Sequence, residues 1–250
     1  KEIKELLDSQ TEISEELRAK LLLDERIGVQ RLYEKYLKRL EQEKAEKVRV
    51  AKLYEIETSP AFRGQKVAGI DEAGRGPLAG PVYAAAVILP PGKHIPKLND
   101  SKKISPKIRD KIAQEIKEWA ISWAVGYATV EEIEELNILH ASHLAMERAL
   151  SALHIRPEHV LVDGNINPKL SLPTSPIIDG DSKCACIAAA SILAKTERDK
   201  VMDYLAKQYP LYGFAKHKGY GTVEHFEAIR KYGISPVHRN SFLRNKHDLA

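Results

Sequence analysis

The chain has 250 residues, 43% of them hydrophobic, which suits one large domain, or one domain with a smaller appendage, around a sizeable buried core. Its net charge of +4 permits a nucleic-acid partner without requiring one. The two cysteines, Cys184 and Cys186, lie too close together to close a stabilising loop, which excludes a disulfide framework. No apolar run approaches the roughly 20 residues of a membrane span, and the charged first residues contain no secretion signal. We therefore expect a cytoplasmic protein without membrane contact.

Residues 1–65 are predicted to form a small all-α extension. Apolar residues recur at helical spacing, Ser14 is placed to cap one helix, and a long helix is predicted over about residues 25–57. Two interpretations are open: a solvated helical hairpin that supports the main domain, and an arm that binds substrate. The basic residues available to such an arm are Lys35, Lys38, Arg39, Lys44, Lys47 and Arg49.

Residues 66–250 are predicted to form an α/β domain with a C-terminal helical tail. Strands are predicted at 67–70, 82–89, 119–129, 159–162 and 175–178. Helices are predicted at 103–118, 130–153 with a break near Asn137, 182–206 and 223–232, and the tail from 235 is predicted to be irregular or weakly helical. This alternation predicts a central mixed β-sheet flanked by helices on both faces.

The two cysteines fall near the start of the predicted helix 182–206. Residues two apart on a helix do not face each other, so the pattern does not predict a metal-binding pair. We interpret Cys184 and Cys186 as small buried residues.

Acidic residues follow three of the predicted strands. Asp71 and Glu72 follow the first strand, Asp163 the fourth, and Asp181 the fifth, where it begins a helix. Carboxylates gathered at one sheet edge repel each other unless a cation neutralises them, and oxygen ligands favour Mg²⁺ or Mn²⁺. The alternative is local: Asp163 as a turn former and Asp181 as a helix cap, with Asp179 competing for the same role.

Five ordered motifs carry a family resemblance. Residues 69–82 read GIDEAGRGPLAGPV, followed by NDSKK at 99–103, VDGN at 162–165, GDSK with IAAASILAK across 180–195, and HKGYGT at 217–222. Together they resemble the ribonuclease HII family over about residues 66–240. The resemblance implies an RNase H-like fold, cleavage of RNA in RNA/DNA hybrids, and incision 5′ of single ribonucleotides in duplex DNA. It also implies 3′-hydroxyl and 5′-phosphate products, and we expect a monomer.

The resemblance assigns roles to particular positions. Those that match the family's metal ligands are Asp71, Glu72, Asp163 and Asp181, which favours Asp181 over Asp179. The candidate substrate-binding residues are Gly74, Arg75, Gly76, Lys102, Lys183, Lys195 and Tyr220. Further candidate phosphate contacts are Lys103, His217 and Lys218.

Four of these residues also have a purely structural interpretation. The glycines at 74 and 76 are suited to close approach of backbone to a sugar, but they also suit a tight turn. Tyr220 is expected to pack on the sugar after the ribonucleotide, or to be an ordinary half-buried tyrosine. Lys195 is equally suited to pairing with a site carboxylate.

Three other functions compete with this one. They are a type III ribonuclease H, a non-catalytic nucleic-acid-binding module, and a magnesium-dependent phosphatase on a similar scaffold. The helical extension and the Tyr220 loop favour type II over type III. The complete set of acidic residues opposes the non-catalytic module.

Overall fold

The structure, a computed structural model, describes residues 2–10 and 12–243. The chain divides into two compact units, Lys1–Ala51 and Lys52–Ala250. Within the described residues, no helix combines the length and apolar character needed to cross a membrane. The predicted tail beyond residue 243 lies outside the described residues.

The first unit is helical, as predicted. Its helices are α1 (Glu2–Ser9), α2 (Glu15–Leu22) and α3, which begins at Ile27 and ends at Leu53 rather than near residue 57. The Ser14 hydroxyl accepts the Leu17 N–H at 3.2 Å, which confirms the predicted cap. The core of this unit is formed by Leu7, Leu21, Val29, Tyr33 and Tyr36.

One basic residue proposed for the arm has a structural role instead. The Arg39 guanidinium donates to the carbonyl oxygens of Leu7 (2.8 Å), Asp8 (3.1 Å) and Gln10 (2.7 Å), where α1 ends. These bonds satisfy carbonyls that a helix end leaves without partners. Arg39 therefore holds α1 against α3 and is not a free phosphate contact.

The second unit is built on a five-stranded mixed sheet, which confirms the predicted class. The strands are β1 (Val67–Ala73), β2 (Val82–Ile88), β3 (Ser122–Ala128), β4 (His159–Asp163) and β5 (Thr174–Ile177), in the order β3-β2-β1-β4-β5. The β1–β2 and β2–β3 pairs are antiparallel, whereas β1–β4 and β4–β5 are parallel. The parallel pairs bring the carboxyl ends of β1, β4 and β5 to one edge.

Helices cover the two faces of this sheet. α5 (Val130–Ser151) lies on one face and α7 (Ala185–Gln208) on the other. The other helices of this unit are α4 (Pro106–Trp119), α6 (Gly180–Lys183), α8 (Phe214–His217), α9 (Val223–Tyr232) and α10 (Asn240–Leu243). The predicted break near Asn137 is confirmed, because this residue has a φ of 67° inside α5. The predicted helix 182–206 is wrong at its start: Cys184 is extended and separates α6 from α7.

The alternation of side chains along β1 decides which helix each one meets. A Cβ on Gly69 would lie 2.1 Å from the Cys186 carbonyl carbon, so α7 packs directly on this position. Ile70 is fully buried in the cluster that contains Ala141 and Ala145 of α5. Because successive residues of a strand point to opposite faces, odd positions of β1 face α7 and even positions face α5.

Candidate active site

Three carboxylates converge where β1, β4 and β5 end. Asp71 lies in β1, Asp163 ends β4, and Asp181 lies in the short helix that follows β5. One oxygen from each lies within 4.8 Å of the others. The parallel register pairs Ile70 with Val162, so Asp71 and Asp163 occupy the next positions on adjacent strands.

Asp163 connects the strand to the helix that carries Asp181. Its Oδ1 accepts the backbone N–H of Gly180 at 2.7 Å and that of Asp181 at 3.4 Å. Gly180 has little room for a side chain, because a Cβ there would lie 2.6 Å from the Ile187 Cδ1. The close packing fixes α6 against the end of β4 and places Asp181 in the group.

The surroundings of Asp71 and Asp181 disfavour negative charge. Burial, followed by the charges of Glu72 and Asp163, raises the pKa of Asp71 well above its usual value, although a Ser191 hydrogen bond opposes the shift. Burial and the charges of Asp100 and Asp163 raise the pKa of Asp181 to about 6. A bound cation would lower the pKa of both groups and favour their charged form.

A fourth carboxylate, Asp100, approaches the group and has no counterpart in the sequence prediction. It caps the 3₁₀ turn Ser101–Lys103 by accepting the Lys102 N–H at 2.8 Å, and its charge raises the pKa of Asp181. Asp100 lies inside the NDSKK segment that carried the resemblance, so the signal was present there. What the sequence lacked was any sign that this turn packs against α7, close to Asp181.

Glu72 lies on the opposite face of β1 from Asp71. The predicted end of the strand after Ile70 is wrong, because β1 continues to Ala73 and pairs Asp71 with Ala85 and Glu72 with Ala84. Glu72 accordingly lines a pocket with Ser142 and His143 of α5. It stands outside the group of three oxygens.

Burial and the neighbouring Arg75 act on the pKa of Glu72 in opposite directions. Burial raises its pKa, while Arg75, whose guanidinium lies 3.2 Å away, lowers it, and Asp163 adds to the rise. The net pKa stays above the ordinary value. Glu72 thus flanks Asp163 from the α5 side, whereas Asp71 flanks it from the α7 side.

The predicted lysines differ in their surroundings. Lys102 is exposed; burial lowers its pKa, but Asp100, Asp71, Asp181 and Asp163 together outweigh this and raise it. Lys183 is also exposed, donates to the Ile178 carbonyl oxygen at 2.7 Å, and pairs with Asp179 at 3.4 Å. Of the two, Lys102 is the one coupled to the carboxylate group.

Two other basic residues predicted to contact phosphate, Lys195 and His217, form hydrogen bonds within the protein. Lys195 pairs with Asp199 at 2.6 Å, which is not one of the site carboxylates, and its ammonium lies 5.9 Å from the Tyr220 ring centre. His217 is buried: its Nε2 bonds with the Tyr212 carbonyl oxygen at 2.7 Å, and its Nδ1 accepts the Gly219 N–H. Because both ring nitrogens are engaged, the expectation that His217 contacts phosphate is wrong.

The Arg239 side chain fixes the glycine-rich loop that follows β1, residues 74–80. This guanidinium is fully buried and donates to the carbonyl oxygens of Gly74 (2.7 Å), Arg75 (3.0 Å), Pro77 (2.9 Å) and Gly80 (2.7 Å). Five donors in a rigid fork suit several carbonyls at once. The loop's backbone is therefore fixed before any ligand binds.

A second buried arginine, Arg198, joins this loop to the Tyr220 loop. It donates to the carbonyl oxygens of Ala79 (3.2 Å) and Lys218 (2.9 Å). A Cβ on Gly76 would lie 3.8 Å from the Tyr220 ring, so the two loops face each other. Tyr220 itself is 43% exposed.

Comparison with known proteins decides the family. The family model described as Ribonuclease HII matches residues 68–246, and the model described as Ribonuclease HII N-terminal domain matches residues 1–59. The chain belongs to the ribonuclease HII family. Members of this family are nucleases that hydrolyse RNA in RNA/DNA hybrids, so the enzyme class predicted from the motifs is confirmed.

Relatives match over nearly the whole chain. A Ribonuclease HII of Desulfitobacterium hafniense (strain DSM 10664 / DCB-2) is 51% identical over 243 residues, which cover 97% of this chain and 93% of that protein. The Ribonuclease HII of Clostridioides difficile (strain 630) is 45% identical over 247 residues, covering 98% and 97%. The crystal structure of the ribonuclease H2 from Pyrococcus horikoshii OT3 superposes with a TM-score of 0.60 at 28% identity, covering 70% of this chain and 93% of that one. The predicted RNase H-like fold is confirmed.

The ribonuclease HII motifs did not reveal the residues that support the site. Arg198 and Arg239 lie at positions where nothing in the sequence distinguishes a buried arginine from a surface one. The same holds for His225 and His238, whose rings are hydrogen-bonded at 3.0 Å behind the Tyr220 loop. Only the packed structure identifies these residues as supports.

Proposed function

We propose that the chain nicks duplex DNA on the 5′ side of a single embedded ribonucleotide, leaving 3′-hydroxyl and 5′-phosphate ends. This goes beyond the hybrid cleavage that membership of the family establishes. The observation that carries the proposal is the convergence of Asp71, Asp163 and Asp181 within 4.8 Å at the carboxyl edge of the sheet. We propose Glu72 as a fourth ligand, on the other side of Asp163.

The chemistry of the donor set fits Mg²⁺ or Mn²⁺. The three grouped donors are all carboxylate oxygens, which hard divalent cations prefer, and neither thiol nor imidazole belongs to this group. When bound, paired divalent ions activate a water and stabilise the leaving 3′-oxygen. The raised pKa values of Asp71 and Asp181 mean that both groups resist ionisation in their present surroundings. A bound cation would offset this and favour the charged form of both.

The residues around the carboxylates would orient the scissile phosphate. Asp163 holds α6 through two backbone amides and so keeps Asp181 in place. Lys102 is exposed beside the group and keeps its positive charge, which suits a phosphate oxygen. Lys183 and Lys195 stay proposed phosphate contacts at the rim.

We assign recognition of the ribose to the two facing loops. The 2′-hydroxyl is what distinguishes RNA from DNA at a given site. The backbone of Gly74, Arg75 and Gly76 is held rigid by Arg239, and the exposed Tyr220 ring stands opposite Gly76. A sugar between them would meet fixed backbone groups on one side and an aromatic ring on the other.

The test is an incision assay on a DNA duplex that carries one ribonucleotide, with Mg²⁺ or Mn²⁺. We expect a single nick 5′ of that ribonucleotide, and a product whose 3′ end a DNA polymerase extends. Asp71→Asn should lower the rate by more than about 100-fold, since loss of a supporting partner alone costs about 10–100-fold.

The matched control is Asp179→Asn. Asp179 is the same residue type two positions from Asp181, but it is exposed and lies outside the group. We expect it to retain the wild-type rate. Cleavage of an RNA/DNA hybrid together with an intact single-ribonucleotide duplex would overturn the proposal and leave the family activity standing.

The remaining expectations stay predictions. We propose a monomeric, cytoplasmic enzyme that works without membrane contact. We also propose residues 1–65 as an extension that binds substrate and residues 66–250 as the catalytic domain.

A further inference from the structure

A second group of side chains whose types can ligate a metal ion lies apart from the carboxylates. The Sγ atoms of Cys184 and Cys186 are 3.4 Å apart, and Glu57 Oε2 lies 3.1 Å from the Cys184 Sγ. The same oxygen accepts the Cys186 N–H at 2.9 Å. The expectation that the two thiols cannot face each other is wrong, because Cys184 is extended and precedes the helix.

This group is enclosed by apolar residues. Cys184 and Cys186 are buried, and the side chains packed with them are Val67, Leu161, Ile187, Ile56, Phe62 and Ile177. Burial raises the pKa of Glu57 and that of Cys186. Among the described residues, no lysine, arginine or histidine forms an ion pair with Glu57. A half-buried carboxylate beside two buried thiols therefore has no cationic side chain paired with it among the described residues.

We propose that Glu57, Cys184 and Cys186 form a binding site for a borderline-soft divalent ion of the zinc type. Thiolates select zinc over magnesium or manganese. A zinc–sulfur bond of about 2.3 Å in a tetrahedral site places two thiolates about 3.8 Å apart, so the observed sulfurs need to separate only slightly. On binding, each thiol releases its proton and its sulfur bonds to the ion.

The ion has a route to this group. A surface cavity of about 380 Å³ is lined by Glu57 together with Thr58, Phe62 and Val67. Glu57 is half-buried and stands between this cavity and the two buried thiols. The cavity also leaves space for a water as a fourth ligand, which a site with three protein ligands keeps.

The position of the site indicates a structural role. Cys184 joins α6, which carries Asp181, to α7, and Cys186 packs directly on Gly69 of the strand that carries Asp71. Glu57 belongs to the segment that precedes this strand. A bound ion would tie three segments together behind the catalytic carboxylates, without contact with the substrate.

The test is titration of the reduced full-length chain with Cd²⁺, followed through the ultraviolet charge-transfer absorption of cadmium thiolates. The chain has only two cysteines, so this band reports on Cys184 and Cys186 alone. We expect saturation at one equivalent, loss of the band in Cys184→Ser and Cys186→Ser, and at least about 10-fold weaker affinity in Glu57→Gln. Zn²⁺ at about 100-fold its Kd should raise the Tm by about 5–10 °C.

Two controls separate this site from its surroundings. Glu55→Gln removes an exposed carboxylate two residues away and should leave the affinity unchanged. Asp71→Asn should lose nuclease activity but keep the band, so failure of this site and failure of the nuclease proposal are distinguishable. The inference is overturned by the absence of a band, by equal affinity in the urea-unfolded chain, or by equal affinity in Glu57→Gln. These wild-type and Glu57 measurements decide the matter even where a cysteine variant does not fold.

Discussion

Asp181 and Asp179 show how far the surroundings of one residue type can differ over two positions. Asp181 is 8% exposed and lies beside Asp100 and Asp163, whereas Asp179 has a left-handed backbone and an exposed side chain paired with Lys183. The carboxyl group of Asp181 is therefore harder to ionise, and its pKa is raised to about 6, by burial above all. The free energy of unfolding should depend on pH through this group.

We expect Asp181→Asn to stabilise the metal-free protein at neutral pH. With a folded pKa of about 6 against an ordinary 3.8, the folded state holds the proton more tightly. The stability that protonated Asp181 gives the folded state is fully present below its ordinary pKa and is lost as pH rises through about 6. The variant should unfold at nearly the wild-type temperature at pH 4, and at pH 7 it should be more stable by about 1–3 kcal/mol.

Thermal unfolding in chelator-treated buffer from pH 4 to pH 7 measures this difference. Asp179→Asn is the control and should show no growth in the difference as pH rises. A constant gap between Asp181→Asn and wild type would contradict the charge argument.

The loop between β1 and β2 shows how an element without regular structure becomes rigid. Its carbonyl oxygens point inward onto Arg239 and Arg198, two buried cations that bond to backbone instead of to carboxylates. This arrangement leaves the outer side of the loop free for a ligand. Gly74 and Gly76 also differ in how much space each has for a side chain, although the motif presents them as similar positions.

We expect Gly74→Ala to be far more damaging than Gly76→Ala. Gly74 has a φ of +98°, and a Cβ there would lie 2.0 Å from the Arg198 Nε. The strained backbone alone costs about 1–3 kcal/mol, before the displacement of Arg198. At Gly76 the nearest atom to a Cβ is the Tyr220 ring at 3.8 Å, which is ordinary contact.

Thermal unfolding and incision kinetics on the two alanine variants measure the contrast. Gly76→Val should fold and bind Mn²⁺ as wild type does, but raise KM or lose discrimination for the ribonucleotide, because its branches fill the space before Tyr220. Equal Tm values for the two alanine variants, or weakened Mn²⁺ binding in Gly76→Val, would show that the loop is not organised in this way.

At the scale of the whole molecule, some basic side chains of the helical extension are paired within it, whereas others are exposed. Arg39 and Arg49 are engaged, by carbonyls of α1 and by Glu46 respectively. Lys35 and Lys38 are exposed on α3 and line one groove. Lys44 and Lys47 are also exposed on α3. If the extension binds substrate, Lys35 and Lys38 are placed to meet phosphates together, because they line the same groove.

We expect the double variant Lys35→Gln/Lys38→Gln to weaken hybrid binding. Each lost phosphate contact should reduce the slope of log K against log salt by about 0.9, so the slope should fall by about 2. Lys20→Glu on α2 changes the net charge equally without touching that groove, and it should leave the slope in place. Unchanged slopes in both variants would mean that the extension is a structural appendage. Binding at several salt concentrations decides between these outcomes.

Much of the fold follows from local pattern. The strands, the cap at Ser14 and the break at Asn137 depend on residues that are neighbours in sequence, so periodicity and capping chemistry predict them. The pattern likewise drew attention to Asp71 and Asp163, because each directly follows a run of apolar residues that forms a strand. These features need no knowledge of distant contacts.

Only the tertiary structure decided which side chains meet. The parallel register of β1 with β4 sets Asp71 beside Asp163, and continued pairing to Ala73 turns Glu72 to the other face. The left-handed turn at Asp179 carries Asp181 into the group and leaves its neighbour in solvent. Register and turn conformation depend on packing between segments far apart in the chain, and a linear pattern of residue types does not encode that packing. For the same reason, the sequence did not show that Asp100 lies near Asp181 or that Arg239 supports the loop.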